Sequence, residues 1–97
     1  MIVKIHKTQD GKKIVAVCDE ELIGKKFKEK SIQLDLSSNF YKGEKKSEEE
    51  IIKMFDDAYI VNMVGKNAIN LGKKVGIVLE NNIIYVQKIP HAQAILF

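Results

Sequence analysis

Ile2-Val3-Lys4-Ile5-His6-Lys7-Thr8-Gln9-Asp10-Gly11-Lys12-Lys13-Ile14-Val15-Ala16-Val17-Cys18 is the stretch on which the reading of the fold turns. Two apolar-rich runs, Ile2–Lys7 and Lys13–Cys18, flank Asp10-Gly11. Asp-Gly between such runs is a strong signal for a hairpin closed by a two-residue type I′ turn. With that turn Gln9 pairs with Lys12, so Val3 opposes Cys18, Ile5 opposes Ala16 and Lys7 opposes Ile14. This nearly apolar face is expected on the core. The other face, with Ile2, Lys4, His6, Val15 and Val17, is expected to be half exposed. The register carries the whole assignment, because a slip of one residue exchanges the two faces.

Working outward, Asp19 is a good N-cap for a short helix, with Glu20 and Glu21 at the positive end of its dipole. Leu22, Ile23 and Phe27 would pack inward, and Gly24 keeps this helix weak. Ile32–Leu36 alternates apolar and polar residues as a short strand does, and residues 37–46 read as a loop. Ser47-Glu48-Glu49-Glu50 is a capping box, followed by Ile51, Met54, Phe55 and Ala58 on one face of an amphipathic helix. Tyr59–Val64 suits a strand, Gly65 breaks it, and Asn67–Lys74 forms a third helix ended by Gly76. Asn81-Asn82 turns the chain into a strand at Ile83–Lys88. Pro90 cannot donate to a ladder, so a bend is expected there, before a last strand at Gln93–Phe97 whose apolar end packs. The expected fold is α+β, a single small domain over residues 1–97. Its N-terminal β-hairpin and further short strands form a mainly antiparallel or mixed sheet with about three short helices.

Composition narrows the function. Ninety-seven residues suffice for one modest core. The single cysteine cannot form an internal disulfide, as suits a reducing cytosol. Charge interrupts the N-terminal apolar residues, unlike a signal peptide, and no apolar run is long enough to span a membrane. A soluble, cytoplasmic protein is expected. All 16 basic residues are lysine, and isoleucine fills 14 positions. Such enrichment accompanies growth at high temperature or an AT-rich genome. Lysine is a point charge without the planar fork of arginine. Residues 1–46 carry +4 and residues 47–97 carry −1, and the stretch 24–46 alone carries +4, which suits an anionic partner.

Specific chemistries fare unequally. His6, His91 and Cys18 lack the short paired spacings of zinc sites, so no metal is expected, and no cofactor motif is present. Cys18 precedes a helix start, which favours a thiolate, yet Asp19, Glu20 and Glu21 crowd the same end and oppose it. A small buried hydrophobe is the better reading. His91 follows a rigid proline in Pro90-His91-Ala92-Gln93, and sequence alone assigns it no catalytic partner. Phe27, Phe40 and Tyr41 lie among Lys25, Lys26, Lys28, Lys42, Lys45 and Lys46, a pattern that can stack on unpaired bases and hold phosphates. Core aromatics beneath a solvated lysine surface would give the same pattern.

Four ordered motifs then stand out: Cys18-Asp19-Glu20-Glu21-Leu22-Ile23-Gly24-Lys25, Phe40-Tyr41-Lys42-Gly43-Glu44, Asn62-Met63-Val64-Gly65 and Pro90-His91-Ala92-Gln93. Together they resemble a family of small archaeal proteins catalogued as domain of unknown function 424. Its members are sometimes described as predicted RNA-binding proteins linked to translation. The resemblance nominates Asp19, Lys25, Tyr41, Gly43, Asn62, Gly65, His91 and Gln93. It implies a non-enzymatic accessory domain whose partners are RNA, the ribosome or translation factors. Two alternatives stand beside it. One is a small enzyme with Asp19 and His91 as an acid–base pair beside Asn62; the other is a protein-interaction module without a ligand of its own. Nothing in the sequence fixes an oligomeric state.

Overall fold

The two most continuously apolar segments of the chain become neighbouring central strands. Lys13–Cys18 (β2) and Ala58–Val64 (here β6, in chain order) pair in parallel, and toward their C-terminal ends both faces are buried. A strand covered on both sides needs an unbroken apolar run rather than an alternating one. Around this pair the computed structural model, which describes residues 1–96, builds a mixed sheet. Its other strands are Ile2–Lys7 (β1), Glu44–Lys45 (β5), Ile84–Val86 (β7) and Ile89–Ile95 (β8), in the order β5-β1-β2-β6-β8-β7. Every pairing except β2 with β6 is antiparallel. Lys26–Glu29 (β3) and Ile32–Asp35 (β4) form a separate two-stranded hairpin. Phe97, the last residue of the expected final strand, lies outside the described residues.

The sheet has a core on each face. Helices Glu48–Met54 (α1) and Lys66–Lys74 (α2) cover the first face, where Ile51, Ala68, Ile69 and Leu71 meet Val3, Val15, Val17, Val61, Met63, Ala92 and Ala94. On the second face Leu22, Leu34, Leu36 and Tyr41 pack on Ala16, Cys18, Val64 and Val86, with Ile23, Phe27, Phe40 and Ile89 at the margin. No helix among the described residues is long and apolar enough to cross a membrane.

Several expectations are corrected. The first hairpin pairs Ile2 with Cys18, Val3 with Val17 and Ile5 with Val15, one residue away from the expected register. The loop holds three residues, not two: Gly11 N–H bonds Thr8 O and Thr8 N–H bonds Lys12 O, at 3.0 and 2.9 Å. Gly11 stands at φ +83°, as a type I turn with a glycine bulge requires. Thr8 decides the matter, since its hydroxyl both accepts from Lys12 N–H at 2.9 Å and donates to the Asp10 carboxylate. Val15 and Val17 are therefore fully buried, not half exposed.

There are two α-helices rather than about three. The expected first one is a single 3₁₀ turn at Glu20–Leu22, after which Gly24 takes φ +89° and the chain turns into β3, carrying Phe27. The helix begun at Ser47 stops at Met54, so that Ala58 already belongs to β6. Residues 37–46 are not all loop, because Glu44–Lys45 pairs with β1. Pro90 does not bend the chain; it lies inside β8 opposite Tyr85. Only its carbonyl is required there, and it accepts Gly65 N–H at 2.9 Å. The Gly65 carbonyl that a neighbouring N–H would seek is already bonded to Ile69 in α2. A proline thus costs the ladder nothing at this position.

Candidate functional site

The second face is only half covered. Strand pairing lays its residues out in three rows across the sheet: His6–Ile14–Ile60–Ile95, Lys4–Ala16–Asn62–Gln93, and Ile2–Cys18–Val64–His91–Ile84. Segment 22–41 buries most of the third row. The first row is left open apart from His6, on which Phe40 stacks with ring centroids 4.5 Å apart and planes at 6°. His6 Nε2 also meets Phe40 O at 2.9 Å, and donates to it in the matching tautomer. Ile14 and Ile60 are half-buried, and Ile95 is 64% exposed.

Asn62 and Gln93 are therefore brought together, directly opposite one another on β6 and β8. Asn62 is half-buried and Gln93 exposed, so two side-chain amides share an isoleucine floor. His91 borders them. Its Nδ1 lies 3.1 Å from Met63 O and, since a carbonyl only accepts, donates to it in the matching tautomer.

One wall of this face is the β3–β4 hairpin. It is tied to the β7–β8 turn by Gln87, whose backbone N–H bonds the Glu29 carboxylate at 2.6 Å and whose amide bonds Lys28 O at 2.8 Å. Gln87 and Lys88 both stand at positive φ, +49° and +67°. A type I′ turn demands this, and it is unfavourable for residues other than glycine, asparagine or aspartate. The two bonds from Gln87 tie the strained turn, which carries Lys88, to the backbone of the hairpin at Lys28 and to the Glu29 carboxylate. Lys25, Lys26, Lys28, Lys30 and Lys88 are all exposed, and none has an acidic partner within ion-pair distance among the described residues.

The rest of the expected lysine cluster lies elsewhere. Lys42 is exposed beside Gly43, next to the outer edge of β1. Lys45 pairs with Glu20 at 3.2 Å, and Lys46 with Glu44 at 3.3 Å and Glu50 at 4.0 Å. Tyr41 is a core residue at 8% exposure, and burial pushes its hydroxyl up to about 12, so its ring is not offered to a base. Lys30 falls within the 24–46 stretch, and Lys88 is the residue that sequence reasoning passed over. Lys88 stands only two positions before the Pro90 motif, which was the available signal.

Asp19 is the one charged side chain in the core among the described residues, 2% exposed. Its two carboxylate oxygens accept Asn67 N–H at 3.0 Å and Ala68 N–H at 2.9 Å, so it caps α2 from 48 residues away. Gly65, at the cap position itself, has no side chain to do this. A Cβ there would stand 2.3 Å from Asp19 Cγ, and φ is +106°. The Asp19–His91 acid–base pair of the alternative enzyme reading does not form. Asp19 turns toward α2 on the first face, both oxygens are taken, and His91 lies on the second. Cys18 is fully buried, and burial, then the Asp19 charge, push its thiol up to about 12, which favours the neutral thiol. Among the described residues no three His, Cys, Asp or Glu side chains gather as a metal-ligand set.

Fold and site together describe a small α+β protein with a half-open sheet face and exposed lysines on the hairpin and turn at its margin. The match to a family model is in accord. Residues 6–97 match the family described as protein of unknown function (DUF424), and the chain belongs to that family. Among solved structures, the chain is similar to an uncharacterized conserved protein from Methanopyrus kandleri, with 29% identity and a TM-score of 0.73, over 95% of this chain and 87% of that one. No curated protein matches the chain.

Proposed function

We propose that this protein is a non-enzymatic RNA-binding domain, with the translation apparatus as the setting that its family resemblance suggests. In this reading Lys26, Lys28, Lys30 and Lys88 hold phosphates along the hairpin wall. The Asn62–Gln93 amide pair and His91 Nε2 meet base edges or 2′-hydroxyls over the isoleucine floor. The observation that carries it is the pinned β7–β8 turn. The strained turn carries Lys88, and Gln87 bonds it to the hairpin whose exposed lysines have no carboxylate within ion-pair distance among the described residues. In this reading the exposed cations of the hairpin and turn and the Asn62 and Gln93 amides on the sheet supply both halves of RNA recognition, charge for position and amides for base edges.

The test is binding of bulk tRNA and of a ribosomal RNA fragment, followed by fluorescence anisotropy across salt. Affinity should fall steeply with salt, with a slope of about 0.7 to 0.9 for each phosphate neutralised. The triple variant K26A/K28A/K88A should flatten that slope by about two to three. The double variant N62A/Q93A should weaken binding while leaving the slope unchanged. Absence of binding at low salt, or a slope untouched by the lysine changes, would sink the proposal.

A further inference from the structure

The outer edge of the sheet at β1 is a second surface, independent of the RNA reading. Backbone groups alternate along a strand. Thr8 N–H bonds toward β2, while Met1 O accepts Lys46 N–H on the opposite side. The odd-numbered residues of β1 therefore present their N–H and C=O groups outward. The two-residue strand β5 covers this edge only at Ile2 and Val3. Gly43 permits that approach, since a Cβ there would lie 2.0 Å from Val3 O. Beyond it, Ile5 and Lys7 face outward with no strand beside them.

A groove of about 500 Å³ follows this open edge, lined by Val3, Ile5 and Met54, by Lys4 and Lys42, and by Lys46 with Glu44, which pair with each other at 3.3 Å. Val3 and Ile5 lie on the first face with Met54 of α1, and Ile5 is 41% exposed. Lys4 lies on the second face. Lysines along an edge discourage pairing with a second copy, whose matching edge would bring the same charges. They do not discourage an acidic chain. Lys4 and Lys42 have no ion-pair partner among the described residues.

We infer that β1 accepts an extended acidic peptide as an added strand, in line with β5. Its alternate side chains are apolar toward Ile5 and Met54, and acidic toward Lys4 and Lys42. Main-chain bonds to Ile5 and Lys7 supply affinity, and the alternation supplies choice.

The probe is a blocked eight-residue peptide of alternating Glu and Val, titrated to millimolar concentration into isotope-labelled protein and followed by amide NMR. A peptide of alternating Lys and Val serves as control. Slowed exchange of the Ile5 and Lys7 amides, with shifts confined to β1, β5 and the Met54 region, supports the inference. The double variant Lys4→Glu and Lys42→Glu should weaken binding by about tenfold or more. Ile5→Pro should abolish binding while the β1–β2 ladder persists, because the Ile5 N–H takes no part in that ladder. Any of four outcomes overturns it: no shift at millimolar peptide, equal binding of the lysine peptide, shifts at the β7–β8 edge instead, or dimerisation through β1. Displacement of the peptide from β1 by RNA would do so as well.

Discussion

Asp19 is the residue on which the local architecture leans most. It closes β2 with its own N–H on Val64 O at 3.0 Å and caps α2 with its carboxylate. Gly65, bare at the cap, leaves room for it. Asp19→Ala would strand two amides and remove a negative charge from the positive end of a helix, so we expect a loss of about 2 to 4 kcal/mol. Asp19→Asn retains one acceptor oxygen and should lose less. Denaturant unfolding measures both, and hydrogen exchange at Ala68 N–H should quicken more than at amides in the middle of α2. An unchanged stability in Asp19→Ala would show that the cap is dispensable. The sequence marks Asp19 as a cap, but for the turn that follows it. The helix it serves begins at Lys66, and only the parallel pairing of β2 with β6 brings that helix within reach.

At the scale of elements, local chemistry was readable wherever it settles a structure unaided. The Ser47–Glu50 capping box forms as read, with Glu50 N–H on Ser47 Oγ at 3.2 Å and Ser47 N–H on the Glu50 carboxylate at 3.1 Å. The Ser47 amide, then its hydroxyl, hold the Glu50 carboxyl below its ordinary value. A depressed folded-state value adds stability that is present above the unfolded value and lost as pH falls through the folded one. Stability should therefore decline below about pH 4.5, the ordinary value for Glu50. Glu50→Gln should remove its share of that decline. Ser47→Ala should cost about 1 kcal/mol at neutral pH. Both are read from urea midpoints at pH 7 and pH 3.5, and an equal acid decline in Glu50→Gln would contradict the assignment. The hairpin register was not readable from Asp10-Gly11 alone, because Thr8 adds a residue to the loop through its side chain. The error did little harm to the core, since the C-terminal end of β2 is buried on both faces whichever register it takes. The first helix was misjudged for a related reason. Gly24 at positive φ turns the chain after one turn, and Phe27 reaches the second core from a strand instead.

At the scale of the whole molecule, the candidate site depends on strand order, which no local signal encodes. Asn62 and Gln93 meet because β6 and β8 are antiparallel neighbours. The lysines of 24–46 part company because that segment crosses the second face, leaving Lys26 and Lys28 on the hairpin wall and Lys42, Lys45 and Lys46 near β1. The same crossing makes the two cores interdependent. Val15 and Val17 serve the first core while Ala16 and Cys18 serve the second, and β6 is shared in the same way through Val61, Met63 and Val64. A strand that loses its cover on one face loses the rigidity that the other face packs against. Leu36→Ala, in the second core, and Ile51→Ala, in the first, each empty a fully buried site and should cost about 2 to 5 kcal/mol. For a domain whose stability is of order 5 to 15 kcal/mol, either change is a large share. We expect both variants to unfold in one transition, with the NMR signals of the Tyr41 ring from the second core and helical circular dichroism from the first changing together. If the Tyr41 signal in Leu36→Ala moves at lower denaturant than the helical signal, segment 20–43 is a separately melting cover. The lysine wall and its pinned turn would then rest on a less stable support than the sheet beneath them.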